Sequence, residues 1–300
     1  MQITLHIGMN KVGSSALQAY CMQNRSALLK RHGILYPETG LGKGTDGRGI
    51  HIGITRAFEK DPAKLPQLRA SLDAEIAKAK PRHVFISSEF FVRQKDIKAV
   101  GAFFEGHEVE VLVYLRRHDY WTSSLYSQAV KTVVTPAWEP GIENFIAHHK
   151  KRKRSYFYFL YLLNSWAEVF GRDAMKVRVN ERSQVTDVVS DALRLIGAAD
   201  MLTTHPQKHG AVNASLSHSQ VYLIDTLRGL SMDAGLRKKL SNVILSHESP
   251  KSKGLLLSQE QAQQIVEDHM PEYAEIARTY LGRADGRLFY DPMPKEEAVS

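Results

Sequence analysis

The residues Gly8-Met9-Asn10-Lys11-Val12-Gly13-Ser14-Ser15 place two glycines, a lysine and two hydroxyls in one short stretch. Glycines let backbone N–H groups turn toward an anion, and a lysine adds a point charge. Between a strand and a helix such a stretch is a phosphate cradle. A nucleoside-triphosphate loop reads G-x-x-x-x-G-K-[ST], with lysine directly after the second glycine. Here Gly8 and Gly13 have that separation, but Ser14 stands in the lysine's place and Lys11 lies inside the loop. The loop therefore reads as phosphate-binding without being built for magnesium-ATP. Two further polar groups close predicted strands, Ser87-Ser88-Glu89 and Arg116-Arg117, and His51 follows a glycine-rich stretch. Glu89 or His51 could take the proton from an attacking hydroxyl; the competing reading of Glu89 is a carboxylate favoured at a helix start. His6, Cys21, Trp121 and the aromatics of 156–161 read as packed side chains.

These groups need elements to hold them. Alternating or continuous apolar runs predict strands over 3–7, 83–86, 109–115 and 175–179. Helical spacing predicts helices from 16 onward and over 62–80, 120–133, 156–170, 185–195, 217–230, 235–245 and 258–281. Residues 38–49, with Gly40, Gly42, Gly44, Gly47 and Gly49, read as a loop. Strands alternating with long helices imply an α/β fold, a central parallel sheet flanked by helices in three layers with a helical C-terminal part. No linker divides the chain, so 1–300 reads as one domain, mainly helical from about 185 onward. In such sheets ligands sit at the carboxyl ends of the strands. The glycine loop, Glu89 and Arg116 all lie at such ends.

The composition is that of a globular protein of 300 residues with a formal net charge of +8. That charge points to an anionic partner. A single cysteine excludes an internal disulfide framework. The chain enters a strand at once, and no apolar run approaches the roughly 20 residues that span a bilayer, so the expected location is cytoplasmic. The basic run 148–154 reads as the start of the aromatic helix that follows it. The usual explanation of such a run is a solvated helix start; cations are unfavourable there, which leaves room for a function toward an acidic acceptor, a membrane surface lying close to 148–154, or nucleic acid. No helix-turn-helix, zinc or RNA-recognition signature accompanies the charge, so no specific nucleic acid is expected.

The stretch His6 to Ser15 resembles the 5′-phosphosulfate-binding loop of sulfotransferases, whose core is K-[TSA]-G-[TS]-[TS]. Tyr114-Leu115-Arg116-Arg117-His118-Asp119-Tyr120-Trp121-Thr122-Ser123-Ser124 resembles their 3′-phosphate motif, an arginine at a strand end and a serine eight residues later. Weaker likenesses run from Val177 to Gly197, along Val212-Asn213-Ala214-Ser215-Leu216-Ser217 and from Tyr280 to Phe289. The resemblance implies a P-loop-like sulfotransferase fold, 3′-phosphoadenosine 5′-phosphosulfate as co-substrate and 3′-phosphoadenosine 5′-phosphate as product. It implies that Lys11, Val12, Gly13, Ser14 and Ser15 hold the 5′ end and that Arg116 and Ser124 hold the 3′-phosphate. Lys11 would also stabilise the leaving oxygen, and Glu89, or else His51, would act as base. No metal is expected. The chain departs from the family at Val12, where a small hydroxyl residue is usual. The basic C-terminal motif of eukaryotic cytosolic members is likewise replaced by no more than Lys251-Ser252-Lys253-Gly254. The acceptor is expected to be a carbohydrate hydroxyl, on a glycan or glycolipid and suited to an anionic one. Two readings compete, a nucleotide or small-molecule kinase with a variant loop and a basic nucleic-acid-binding protein without enzymatic activity. No motif speaks to oligomeric state.

Overall fold

Ile3, Thr4, Leu5 and His6 are all buried, so β1 (Gln2–His6) is covered on both faces, as parallel strands under helices are. A computed structural model describes residues 1–42, 49–132, 136–153, 155–206, 216–247, 249–250, 252 and 254–293. Gly44, Gly47, Val133, Arg154, residues 212–215, Lys251 and Lys253, which figured in the expectations above, lie outside the described residues.

From β1 the chain runs through α1 (Ser14–Gln23) and α2 (Arg25–His32) to β2 (Ile34–Leu35), then through α3 (Ile52–Lys60) and α4 (Leu65–Ala79) to β3 (His83–Ser87). Helix α5 (Ile97–Phe103) leads to β4 (Glu108–Leu115). Helices α6 (His118–Thr132), α7 (Ile142–Lys150) and α8 (Phe159–Phe170) lead to β5 (Met175–Val179). Only helices follow among the described residues: α9 (Val188–Leu195), α10 (Met201–Thr204), α11 (His218–Gly229), α12 (Ala234–Ser246) and α13 (Gln259–Leu281).

The five strands form one all-parallel sheet in the order β2-β3-β1-β4-β5. This is the expected α/β architecture with one strand more. β2 has two residues, too short for a periodic signal. Right-handed crossovers place α1 and α2 on one face and α5 and α8 on the other. Accordingly α1 packs against α9, and α8 against α5 and β4.

Register carries the functional consequence. β1 lies between β3 and β4, with His6 opposite Ser87 on one side and Leu112 on the other. The chain leaving β1 is therefore flanked by the chains leaving β3 and β4.

Three local expectations are corrected. Pro62–Lys64 is a separate 3₁₀ turn ahead of α4, because proline tolerates only the first turn of a helix. α8 begins at Phe159, after a turn. The basic run does not open α8. His148, His149 and Lys150 form the last turn of α7, with Lys151 as its C-cap. At that end cations complement the dipole, so the argument from an unfavourable helix start falls. The run is also divided: Lys150 pairs with Asp268 of α13, and His149 stacks on Phe157. No helix among the described residues is long and apolar enough to cross a membrane.

Candidate functional site

The loop between β1 and α1 bends through three left-handed residues, Gly8 (φ 62°), Lys11 (φ 65°) and Gly13 (φ 96°). Lys11 is one of two non-glycine residues with positive φ among the described residues. That conformation costs a residue with a Cβ about 1–2 kcal/mol, and strain of this kind gathers at functional loops. Gly8 is required for a second reason. A Cβ there would stand 2.8 Å from the Cα of Glu89, so the loop and the end of β3 touch backbone to backbone.

Three consecutive loop carbonyls are each held by a side chain from a different segment. The Asn10 carbonyl accepts from Trp121 Nε1 at 2.9 Å, that of Lys11 from Arg116 Nη1 at 3.0 Å, and that of Val12 from Asn180 Nδ2 at 3.0 Å. In a trans peptide the N–H of the next residue points opposite to the carbonyl. Fixing these oxygens therefore fixes the amides of Lys11, Val12 and Gly13 in the other direction. No backbone carbonyl among the described residues takes those three amides. Consecutive free N–H groups before a helix N-terminus form an anion nest.

Arg116 joins the two expected phosphate segments, because the same Nη1 that holds Lys11 also donates to Ser124 Oγ at 3.3 Å. Burial lowers the Arg116 pKa from the ordinary arginine value, opposed by Asp119 and Tyr120. Lys11 is half-buried. Its pKa is lowered first by burial and then by the Arg116 and Lys131 charges. It has no carboxylate partner among the described residues, so it is a cation poised to gain an anion. Ser14 is buried and its hydroxyl donates to the Met9 carbonyl at 3.2 Å, closing the loop on itself. Val12 is fully buried in the core, so its side chain anchors the loop and its backbone alone is offered to a ligand. Arg117 turns away, chelating Asp119 and donating to the Asp291 and Pro292 carbonyls.

Beneath the loop runs a buried polar chain. Ser87 Oγ lies 2.8 Å from His6 Nδ1 and accepts from Gln18 Nε2 at 3.2 Å. Gln18 Nε2 also donates to Glu89 Oε2 at 2.9 Å. His6 is fully buried, and burial lowers its pKa to about 3, so it is neutral there. His6 Nε2 and Gln18 Oε1 are buried without a partner among the described residues.

Lys11, Ser14, Glu89, Arg116 and Ser124 thus come together at one end of the sheet, but His51 does not join them. Its Nε2 lies 3.0 Å from the Pro37 carbonyl and its Nδ1 accepts the Ser87 amide at 3.1 Å. Burial lowers its pKa to about 4. His51 stitches two segments together, with both ring nitrogens engaged by backbone groups. Sequence reasoning missed Gln18 and Asn180. An amide on the apolar stripe of Leu17, Tyr20 and Cys21 was the signal for Gln18. Asn180 directly follows a strand, the rule that found Arg116.

Two cavities border the loop. One, of about 680 Å³, is lined by Lys11, Val12, Gly13, Arg116, Tyr120 and Asn180. The other, of about 790 Å³, reaches Asn10 and is walled by Trp138, Phe145 and Tyr156. A third polar cluster lies elsewhere. His118, His269 and Glu272 approach within 4.8 Å, but the two imidazoles stack 3.6 Å apart at 6°. Lone pairs lie in the ring planes, so parallel stacked rings do not converge on a common metal ion. His118 Nε2 and Nδ1 are also engaged, by the Phe157 carbonyl and the Tyr273 hydroxyl.

The chain is 26% identical over 208 residues to an uncharacterized protein of Archaeoglobus fulgidus, a match that covers 66% of this chain and 54% of that protein. The chain thus spans about half the length of that relative. No family model matches the sequence, and no solved structure matches it.

Proposed function

We propose that this protein transfers a sulfuryl group from 3′-phosphoadenosine 5′-phosphosulfate to a hydroxyl of a carbohydrate acceptor. The observation that carries the reading is the Arg116 guanidinium, bonded at once to the loop at Lys11 and to Ser124. It sets a cation for a second phosphate beside a nest for the first, which a simple mononucleotide would not use. The residues fit the donor: the amides of Lys11, Val12 and Gly13 and the α1 N-terminus, with Ser14 and Ser15 adjoining, for the 5′ end, and Arg116 with Ser124 for the 3′-phosphate.

In this reading Glu89 takes the proton from the acceptor hydroxyl as its oxygen forms a bond to sulfur. The bond from sulfur to the 5′-phosphate oxygen breaks, and the electron pair stays on that oxygen, where Lys11 meets the growing charge. Positioning and electrostatic stabilisation suffice for such a transfer, as in phosphoryl transfer. The donor belongs in the cavity at Arg116 and Tyr120 and the acceptor in the aromatic-walled cavity beyond Asn10. Aromatic faces with interspersed amides suit sugar rings.

Incubation with the donor and a mixed glycan pool tests the reading. Release of 3′-phosphoadenosine 5′-phosphate coupled to a sulfated glycan supports it. Magnesium-dependent ATP hydrolysis in its place would favour a kinase.

A further inference from the structure

Cations line the cavity beyond Asn10, and none of them is ion-paired among the described residues. Arg93 lies over the Phe90 ring at 5.6 Å and the Tyr156 ring at 5.9 Å. Arg152 stands on the same lining, with Lys95 and Lys98. Neither Arg93 nor Arg152 has a carboxylate partner among the described residues. Two carboxylates also line the cavity, Asp96 and Glu168. Asp96 is occupied as the N-cap of α5, accepting the Ala99 amide at 2.9 Å.

His149 reports the local field. Its pKa is lowered to about 4 by burial first, and then by His148, Arg152 and Arg93. Arg93 and Arg152, both exposed, share the lining of this one cavity with His149. The indole N–H groups of Trp138 and Trp166, on the same lining, are buried without a partner among the described residues. The wall thus offers a surplus of donors and positive charge. An arginine held between two aromatic faces keeps its in-plane N–H groups free for a planar anion.

We infer that Arg93 and Arg152, both exposed on the lining of this cavity, form an anion subsite there, and that the acceptor is an acidic saccharide carrying a carboxylate near the hydroxyl to be modified. The sugar ring lies against Trp138 and Tyr156 while the carboxylate meets the two guanidinium groups. This rests on the sulfuryl-transfer reading for the word acceptor, whereas the subsite rests on the cavity alone.

The test is calorimetry of the full chain with 3′-phosphoadenosine 5′-phosphate present. Uronate-containing oligosaccharides are titrated against neutral oligosaccharides of the same length. The expected result is a preference of about tenfold or more for the uronate set. The preference is lost in Arg93→Gln/Arg152→Gln and kept in Arg93→Lys/Arg152→Lys. Lys238→Gln/Lys239→Gln on α12 removes equal charge away from the cavity and should leave it unchanged. Equal or absent binding of the two sets, or a preference that survives Arg93→Gln/Arg152→Gln, overturns the inference while leaving the transfer reading in place. Failure of the nucleotide itself to bind overturns the transfer reading, and a uronate preference would then stand as an anion site without that chemistry.

Discussion

Arg116 donates from one nitrogen to the Lys11 carbonyl at 3.0 Å and to Ser124 Oγ at 3.3 Å. A residue at the end of β4 thus sets the backbone of a loop more than a hundred positions earlier, and the loop's amides point where they do because of it. In the proposed function this contact joins the two halves of a bisphosphate site. The variant Arg116→Gln should lose the 3′-phosphate. Wild type is expected to bind 3′-phosphoadenosine 5′-phosphate about 10–100-fold more tightly than 5′-AMP, the worth of a charge-assisted contact. Arg116→Gln should bring the two within about threefold by calorimetry.

Lys11 combines a strained backbone with an unpaired charge, and the two can be separated. Lys11→Ala should lower turnover by about 10²–10³-fold, measured as release of 3′-phosphoadenosine 5′-phosphate, with less than about tenfold loss of nucleotide affinity. Lys11→Gly should lose turnover equally. It should also leave the denaturant midpoint unchanged or raise stability by up to about 1 kcal/mol, because glycine relieves the positive φ.

Gln18 holds one oxygen of Glu89 from below. Gln18→Met keeps the volume and removes the donor. Turnover should fall about 10–100-fold, the scale of losing one orienting contact, while nucleotide affinity stays within about twofold. A parallel loss of both would make Gln18 a part of the loop's packing instead.

Buried neutral histidines make stability depend on pH in a defined direction. Burial lowers the folded-state pKa to about 3 for His6 and about 4 for His51. The unfolded chain, with an ordinary value near 6.5, takes up protons that the folded chain refuses. Their contribution is complete above about pH 7 and declines as the pH falls through 6.5 toward those lowered values. Each histidine contributes a slope of about 1.4 kcal/mol per pH unit. Urea midpoints between pH 7 and 5 should therefore fall steeply, and His51→Gln should reduce the slope by about one histidine's worth.

The sheet was legible because β1, β3, β4 and β5 are apolar runs ended by glycine or polar residues, and ligand sites in parallel sheets gather at those ends. Lys11, Glu89 and Arg116 were within reach by that rule, whereas Ser124, inside α6, came only from the resemblance. The surroundings of His51 were not legible, because in the chain it follows a glycine-rich stretch, whereas in space its ring is clamped between Pro37 and Ser87. The basic run misled because α7, the nine-residue helix that it closes, was not read from the sequence, so its cations were assigned to the next helix. Gln18 and Asn180 act through partners 71 and 168 residues away, and no local pattern encodes such pairings.

The most direct measurement is a calorimetric titration of the purified protein with 3′-phosphoadenosine 5′-phosphate, compared with ADP plus magnesium. The account predicts saturable binding with a Kd of about 10 μM or tighter, insensitive to chelator, and at least tenfold weaker binding of magnesium-ADP. No binding of the bisphosphate, or tighter magnesium-dependent binding of ADP, would contradict it.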